Sequence, residues 1–296
     1  MNLDDLQAFV AVAEQGSFSR ATEVLFITQP AVSKRIAALE QQLGTRLFDR
    51  IGHRVALTEA GEALLPRARD ILMRVEDSRR AVRDLSGSVA GQLRIGTSHH
   101  IGLHRLPPVL RSFSRTYPDV ELDIEFMDSE AACHAVEHGE LELAIVTLPL
   151  EPAPALDLTP IWHDPLALVA GREHPLAQRR QVALDQLAAH RAVLPATGTF
   201  TRQILERALA PKGLRLQVGL STNYLETIRM LVAVGLGWSV LPRTMLDSEL
   251  VALPVSGLKL ARELGVVRHR DRSRSNAVRA LLGLLQSQKP KYKPTP

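Results

Sequence analysis

An α+β chain of several domains follows from three patterns in these 296 residues. The first 58 residues hold three short helical patterns and then two short strands around a turn. Residues 59–85 keep one heptad-spaced helical seam. From residue 92 onward strand and helix patterns alternate, in two successive blocks. Domains of roughly 100–200 residues are the rule, so one core does not serve this length.

The element order in 1–58 is that of a winged helix-turn-helix. Leu3, Leu6, Phe9, Val10 and Ala13 recur at helical spacing, and Gly16 stops the helix. Ser17 starts a second helix that runs to Leu25, with Ala21 and Val24 inward. Thr28 is placed to cap a third, and Pro30 suits its first turn, where a missing N–H costs nothing. Ala31, Val32, Ile36, Leu39 and Leu43 form its inner face, and Gly44 ends it. The stretch from Leu47 to Thr58 alternates around Gly52 and predicts a hairpin.

Residues 59–91 are predicted to be a linker and dimerisation helix with a hinge. Ala68, Ile71, Val75, Ser78, Val82 and Leu85 fall at spacings of three and four, the pattern of a helix that pairs with another helix. The small residues of 86–91 make the hinge.

Residues 92–290 predict a bilobed α/β body. In the first block, strands are expected at 93–96, 120–126 and 141–146, with helices at 101–116, disturbed in its first half by Pro107 and Pro108, and at 131–138. Two further strands are expected at 158–162 and 166–170. The second block has strands at 192–194, 216–220 and 238–241 and helices at 201–209 and 224–234. A strand at 264–267 and a helix at 276–285 close the chain. Such alternation implies a mainly parallel sheet with ligands at the strands' carboxyl ends. Lobe I takes residues 92–162 and 266–290, and lobe II takes 163–265. Two segments cross between them, and a cleft separates them. Residues 291–296, rich in Lys and Pro, predict a flexible tail.

The formal charge of +4 is uneven along the chain. Asp4, Asp5, Glu14 and Glu23 outnumber Arg20 in the first 25 residues. Lys34, Arg35, Arg46, Arg50 and Arg54 outnumber Glu40 and Asp49 in 34–54. A surface polarised toward a polyanion is expected. One cysteine, Cys133, excludes an intramolecular disulfide and a Cys-rich zinc module. The acidic start has no basic region before a long apolar stretch, and no apolar run reaches the ~18 residues that span a bilayer. A cytoplasmic protein without membrane contact is expected.

Several motifs within this frame form a family resemblance. They are Leu6-Gln7-Ala8-Phe9-Val10-Ala11-Val12-Ala13-Glu14, Gly16-Ser17-Phe18-Ser19-Arg20-Ala21-Thr22, Thr28-Gln29-Pro30-Ala31-Val32-Ser33, Leu47-Phe48-Asp49-Arg50 and Leu57-Thr58-Glu59-Ala60-Gly61. Residues 1–65 thereby resemble the N-terminal domain of LysR-type transcriptional regulators. The stretches 139–145 and 232–242 resemble that family's effector domain, itself similar to type 2 periplasmic binding proteins. The resemblance implies a regulator of double-stranded promoter DNA that answers to a small inducer and works with RNA polymerase. It also implies a homodimer or homotetramer.

Candidate site residues follow from position. Thr28, Gln29, Pro30, Ser33 and Lys34 lie at the start of the third helix, off its apolar face. Gln pairs with adenine, Ser reaches bases or phosphates, Lys reaches guanine or phosphate, and Pro30 offers a contact to a thymine methyl. Arg50, His53 and Arg54 in the hairpin face the DNA backbone or minor groove on the same reading. In the second part, Thr97, Ser98 and His99 follow a strand and open a helix, as do Thr199, Phe200 and Thr201 in the other lobe. Free N–H groups at helix starts favour negative charge, so these loops predict a small carboxylate or inorganic anion. Simple N-capping would explain either loop alone, but two such loops in equivalent places facing one cleft favour a ligand. Asp128, Thr147 and Asn223 also stand at strand ends or helix starts and are candidates for the same cleft.

His134 and His138 share a helix face beside Cys133, but no third ligand is evident, so no metal or other cofactor is expected. No nucleophile–base constellation is legible, and the chain is not expected to be an enzyme. A transport solute-binding protein is the rival reading of 92–290, against which the first domain argues.

Overall fold

A computed structural model describes residues 1–51, 54–85 and 87–287. It divides into two compact units, Met1–Ser86 and Gly87–Pro296. No helix among the described residues is long and apolar enough to cross a membrane.

In the first unit, α1 (Leu3–Gln15) begins where the Asn2 side chain accepts a hydrogen bond from Asp5 N at 2.8 Å. Ser17 Oγ does the same for Arg20 N at the start of α2 (Phe18–Leu25). Phe26 turns the chain with φ +52°, a left-handed conformation that costs a side-chain-bearing residue about 1–2 kcal/mol. Its ring is 92% exposed, so no packing offsets that cost. α3 (Gln29–Leu43) follows and ends at Gly44, whose φ of +68° suits a residue without Cβ. Thr28 occupies the cap position, but its side chain makes no capping bond.

The hairpin pairs β1 (Phe48–Ile51) with β2 (Arg54–Leu57) in antiparallel register. Glu40 Oε1, from α3, accepts from Leu47 N at 2.7 Å and anchors the hairpin's first strand. Phe9, Phe18 and Phe48 meet ring to ring over Leu6, Val32, Ile36 and Leu39. α4 (Glu59–Asp84) starts with Thr58 Oγ1 accepting from Gly61 N at 3.1 Å. The seam expected on this helix divides. Ala68 and Ile71 pack into the unit's own core, whereas Val82 and Leu85 are 70% and 84% exposed. The first half therefore lies on a globular core and only the second half presents unpartnered apolar surface.

In the second unit, β3 (Gly91–Thr97) leads to α5 (His99–His104) and α6 (Pro107–Thr116). The disturbance expected from Pro107 and Pro108 within 101–116 is a full break, because Pro107 opens a new helix at its first turn. Then follow β4 (Val120–Phe126), α7 (Ser129–Glu137) and β5 (Leu143–Thr147). The next strand, β6, runs unbroken over Leu156–Gly171, so the two strands expected there are one. Next come α8 (Leu184–Ala189), β7 (Arg191–Leu194), α9 (Phe200–Leu209), β8 (Gln217–Ser221), α10 (Leu225–Ala233) and β9 (Trp238–Pro242). The chain returns through β10 (Leu250–Ala252) and β11 (Leu260–His269) and ends in α11 (Asn276–Ser287).

The sheet order is β4-β3-β5-β11-β6-β9-β7-β8, with β10 on β6. It is mixed rather than mainly parallel. β3 pairs in parallel with β4 and β5, as does β7 with β8 and β9. The crossing strands β6 and β11 are antiparallel to each other, and β11 is antiparallel to β5. They change cores midway. Ile161, Trp162, Leu264 and Val266 pack with Phe113 and α11, whereas Leu166, Leu168 and Leu260 pack with Trp238 and α9. At Leu264/Gly265 the register shifts, and a Cβ on Gly265 would stand 2.3 Å from Thr159 O. The bulge also accommodates Pro160, which cannot donate to a ladder. Between the two cores lie His163 and Asp164 and their partners Glu263 and Arg262, a polar step in the crossing strands.

Candidate functional site

Two separate surfaces carry the candidate residues. On the first unit, α3 buries Val32, Ile36 and Leu39 and thereby turns its other face outward. Thr28, Gln29, Pro30 and Lys34 are exposed there and Ser33 is half-buried. Gln29 Oε1 accepts a long bond, 3.5 Å, from Ser19 Oγ of α2. Arg35 is turned toward α1, where Asp4 holds it at 3.0 Å, so the adjacent Lys34 is the cation this face presents. Arg50 and Arg54 stand in β1 and β2. His53 and the side chains of Arg50 and Arg54 lie outside the described residues.

On the second unit, a cavity of about 60 Å³ lies between the lobes. Seven of the nine expected residues line it: Ser98, His99, Asp128, Thr147, Thr199, Thr201 and Asn223. Two do not. Thr97 is fully buried, and its hydroxyl donates to Ile145 O at 2.8 Å, which locks β3 to β5. Phe200 packs its ring on the apolar cluster of Ala132, Cys133 and Val136 and offers the cleft only its backbone N–H. N-capping does not explain the hydroxyls. Ser98, Asp128 and Thr199 precede α5, α7 and α9, and none of their side chains caps its helix.

Sequence reasoning missed three cleft residues, and they set its electrostatics. Arg262 sits on β11 at the crossing, opposite Asp164 of β6. Its Nε donates to Asp164 Oδ2 at 2.8 Å and its Nη1 to Thr201 Oγ1 at 3.0 Å, while the buried Nη2 finds no partner. Asp164 is wholly buried and also meets Arg105 at 3.2 Å, so two guanidinium groups surround one carboxylate. That local excess of positive charge favours an anion. Burial pulls Arg262 below its usual range, and Asp164 works against this. A charged group inside a strand as apolar as 260–267 was the legible signal.

His100 is the second. It is 5% exposed, and burial followed by the nearby Arg262 pushes its pKa down, which favours the neutral ring. Its Nε2 has no partner. The third is Glu130, from α7, whose carboxylate accepts the N–H of Phe200 at the start of α9. Burial raises its pKa, and that N–H partly offsets the rise. A carboxylate from lobe I thus stands on the first turn of a lobe II helix. Asn223 and Asp128 make a parallel link at 2.6 Å.

His99 packs edge-on against Tyr224 at 4.8 Å and at a tilt of 35° against Phe126 at 5.3 Å. Cys133 is buried, and desolvation with Glu130 and Glu137 pushes its thiol up to about 12. It stays protonated at neutral pH and is a packing residue.

Residues 3–62 match the model for bacterial regulatory helix-turn-helix proteins of the lysR family, and residues 86–290 match the LysR substrate binding domain. A "Probable RuBisCO transcriptional regulator" of Synechocystis sp. is 31% identical over 95% of this chain and 84% of its own length. An HTH-type transcriptional regulator of Azotobacter vinelandii is 68% identical over 36% of this chain and 75% of its own length. A full-length OxyR variant from Pseudomonas aeruginosa shares the fold, with a TM-score of 0.71, 24% identity and 99% of both chains covered.

Proposed function

The chain belongs to the LysR family of DNA-binding transcriptional regulators, and from that premise we propose that a small anion held between the lobes of its effector-binding domain controls it. The observation that carries the anion is the buried, unpartnered Nη2 of Arg262 beside the starts of α7 and α9, which the side chains of Asp128 and Thr199 leave without a capping bond. A buried donor without a partner costs about 1–3 kcal/mol, and a bound oxyanion removes that cost. The cavity holds about 60 Å³, near the share of two water molecules. An inorganic oxyanion or the head of a short carboxylate fits that space.

Glu130 explains how binding changes the protein. Its carboxylate now stands on the α9 start, where an incoming anion would bind. An anion that displaces it breaks one link between the lobes and makes another through Arg262. The ligand prefers one arrangement of the lobes, and only such a difference in affinity shifts the population. On the DNA side, Gln29, Ser33 and Lys34 read the major groove from the start of α3, with Thr28 and Pro30 beside them. Arg50, His53 and Arg54 follow the backbone. The exposed end of the α4 seam pairs two chains, and pairs of pairs give the tetramer that meets promoter DNA and RNA polymerase. The protein acts as a cytoplasmic regulator rather than a catalyst.

The test is a thermal-shift screen of the full chain against sulfate, phosphate, acetate and oxalate, with chloride at equal ionic strength as control. A ligand at 100 times its Kd adds about 2.7 kcal/mol, or roughly 5–10 °C for a domain of this size. Ser98→Ala with Thr199→Val should lose that rise and keep DNA binding. A response equal to wild type in that double variant places the pocket elsewhere.

A further inference from the structure

Among the described residues, one group of three side chains has the composition and spacing of a metal centre: His100, His104 and Glu226. His100 and His104 are four apart on α5 and so share a face, with ring centroids 4.7 Å apart. Glu226, in the first turn of α10, reaches them from the other lobe. Its Oε1 lies 3.2 Å from His100 Nδ1 and 3.0 Å from His104 Nε2. One ligand atom from each residue falls within 4.8 Å of the others. Zinc held at 2.0–2.1 Å in tetrahedral geometry sets its ligand atoms about 3.3 Å apart. Two of the three edges are already that short, and a small rotation of the exposed His104 closes the third.

We propose that His100, His104 and Glu226 bind a zinc-like divalent cation that ties α5 of one lobe to α10 of the other. Two neutral imidazoles and one carboxylate are a zinc ligand set that leaves a fourth position for water. A cavity of about 350 Å³ beside the three side chains provides the approach and room for that water. Of the cations that also line it, Arg229 is held by Asp247 and Glu249, and Arg105 shares Asp164 with Arg262. Glu226 carries the charge that the cation neutralises.

The site joins the cleft through His100, which lines both. With the metal on Nδ1, Nε2 carries the proton and is a donor. That atom is buried and without a partner. A metal-bound imidazole commonly gives its second N–H to a carboxylate, which fixes the ring and strengthens the ligand. Cation and cleft anion then stabilise the same arrangement of the lobes, and each raises the other's affinity by the same factor. The cation site itself does not depend on which anion the cleft takes.

The experiment is a titration of the metal-free full chain with Zn²⁺ against a chromophoric chelator, repeated with Co²⁺ to read tetrahedral coordination from its visible bands. Wild type should bind one equivalent with Kd below about 10 µM. His104→Ala and Glu226→Gln should each weaken binding at least tenfold, on the order of what loss of a ligand-supporting group costs. Both side chains are substantially exposed, and unchanged tryptophan fluorescence will show that the fold persists. His134→Ala with His138→Ala, the stacked pair at the end of α7, should change nothing. Absence of Zn²⁺ binding at that affinity in wild type overturns the proposal. So does retention of wild-type affinity in His104→Ala or Glu226→Gln, or its loss in the α7 pair.

Discussion

Replacing Arg262 by Met separates what this residue does for the fold from what it does for a ligand. Asp164 is wholly buried and has two cationic partners, Arg262 at 2.8 Å and Arg105 at 3.2 Å. Breaking a buried ion pair by removing one partner costs about 3–5 kcal/mol. Here Arg105 remains, and its side chain is 26% exposed. The expected loss is therefore smaller, about 2–3 kcal/mol. Arg262→Met combined with Asp164→Leu leaves Arg105 free to reach water and fills the crossing with apolar volume. Its stability should return to within about 1 kcal/mol of wild type. Both variants should lose the anion response. Urea unfolding followed by tryptophan fluorescence measures this directly, because Trp162 and Trp238 both lie buried in the second unit. Unchanged m-values are required for the comparison. The reasoning fails if Arg262→Met stays within 1 kcal/mol of wild type. It also fails if the double variant is as unstable as the single, or if either keeps the anion response.

Four further outcomes are expected. Gln29→Ala and Ser33→Ala should each weaken specific DNA binding by about 1–3 kcal/mol at fixed salt with oligomeric state unchanged, and equal affinity in a titration would refute the base contacts. Val82→Asp with Leu85→Asp should dissociate the paired chains in sedimentation without unfolding the first unit, since both residues are exposed; an unaltered sedimentation coefficient locates the pairing elsewhere. Cys133, with its thiol pushed up to about 12, should resist a disulfide reagent at pH 8 until urea unfolds the second unit, and rapid native modification would contradict its burial. Burial raises the folded pKa of Glu130, so the folded state binds that proton more tightly than the unfolded one. Its contribution to stability is fully present below the unfolded value and falls as pH rises through the folded value. Glu130→Gln should remove that decline from the urea midpoint of the second unit, and parallel pH profiles would count against it.

Local order was readable because periodicity reports burial. The apolar spacing of α1, α2 and α3, with their Asn2, Ser17 and Gly44 boundaries, is written in contiguous residues. The cleft loops were readable for the same reason: a strand, a small hydroxyl and a helix start follow one another in the chain. What misled was nearest-neighbour reasoning applied to long elements. The stretches 158–162 and 166–170 read as two strands, yet β6 runs through both, with a bulge that leaves Ile161 as the extra residue opposite Leu264 and Gly265. Thr97 read as a cleft residue, but its hydroxyl belongs to the ladder beside Ile145. His134 and His138 drew the metal question, while the equally spaced His100 and His104 found their third partner 122 residues further along.

Amphipathic periods, caps and turn residues determined by themselves that this chain has a helical head with a hairpin, a long helix and a two-block α/β body. Each of those features pays for itself within one turn or one strand. The electrostatic character of the cleft was decided by tertiary structure alone. Arg262, Asp164, Arg105 and Thr201 come from β11, β6, the end of α5 and α9, and none of the four signals the others along the sequence. An unpaired buried donor exists only once the strands have crossed and water has left. The physical reason is that burial converts a polar atom's partner count into free energy, and partners across a cleft are set by packing rather than by spacing.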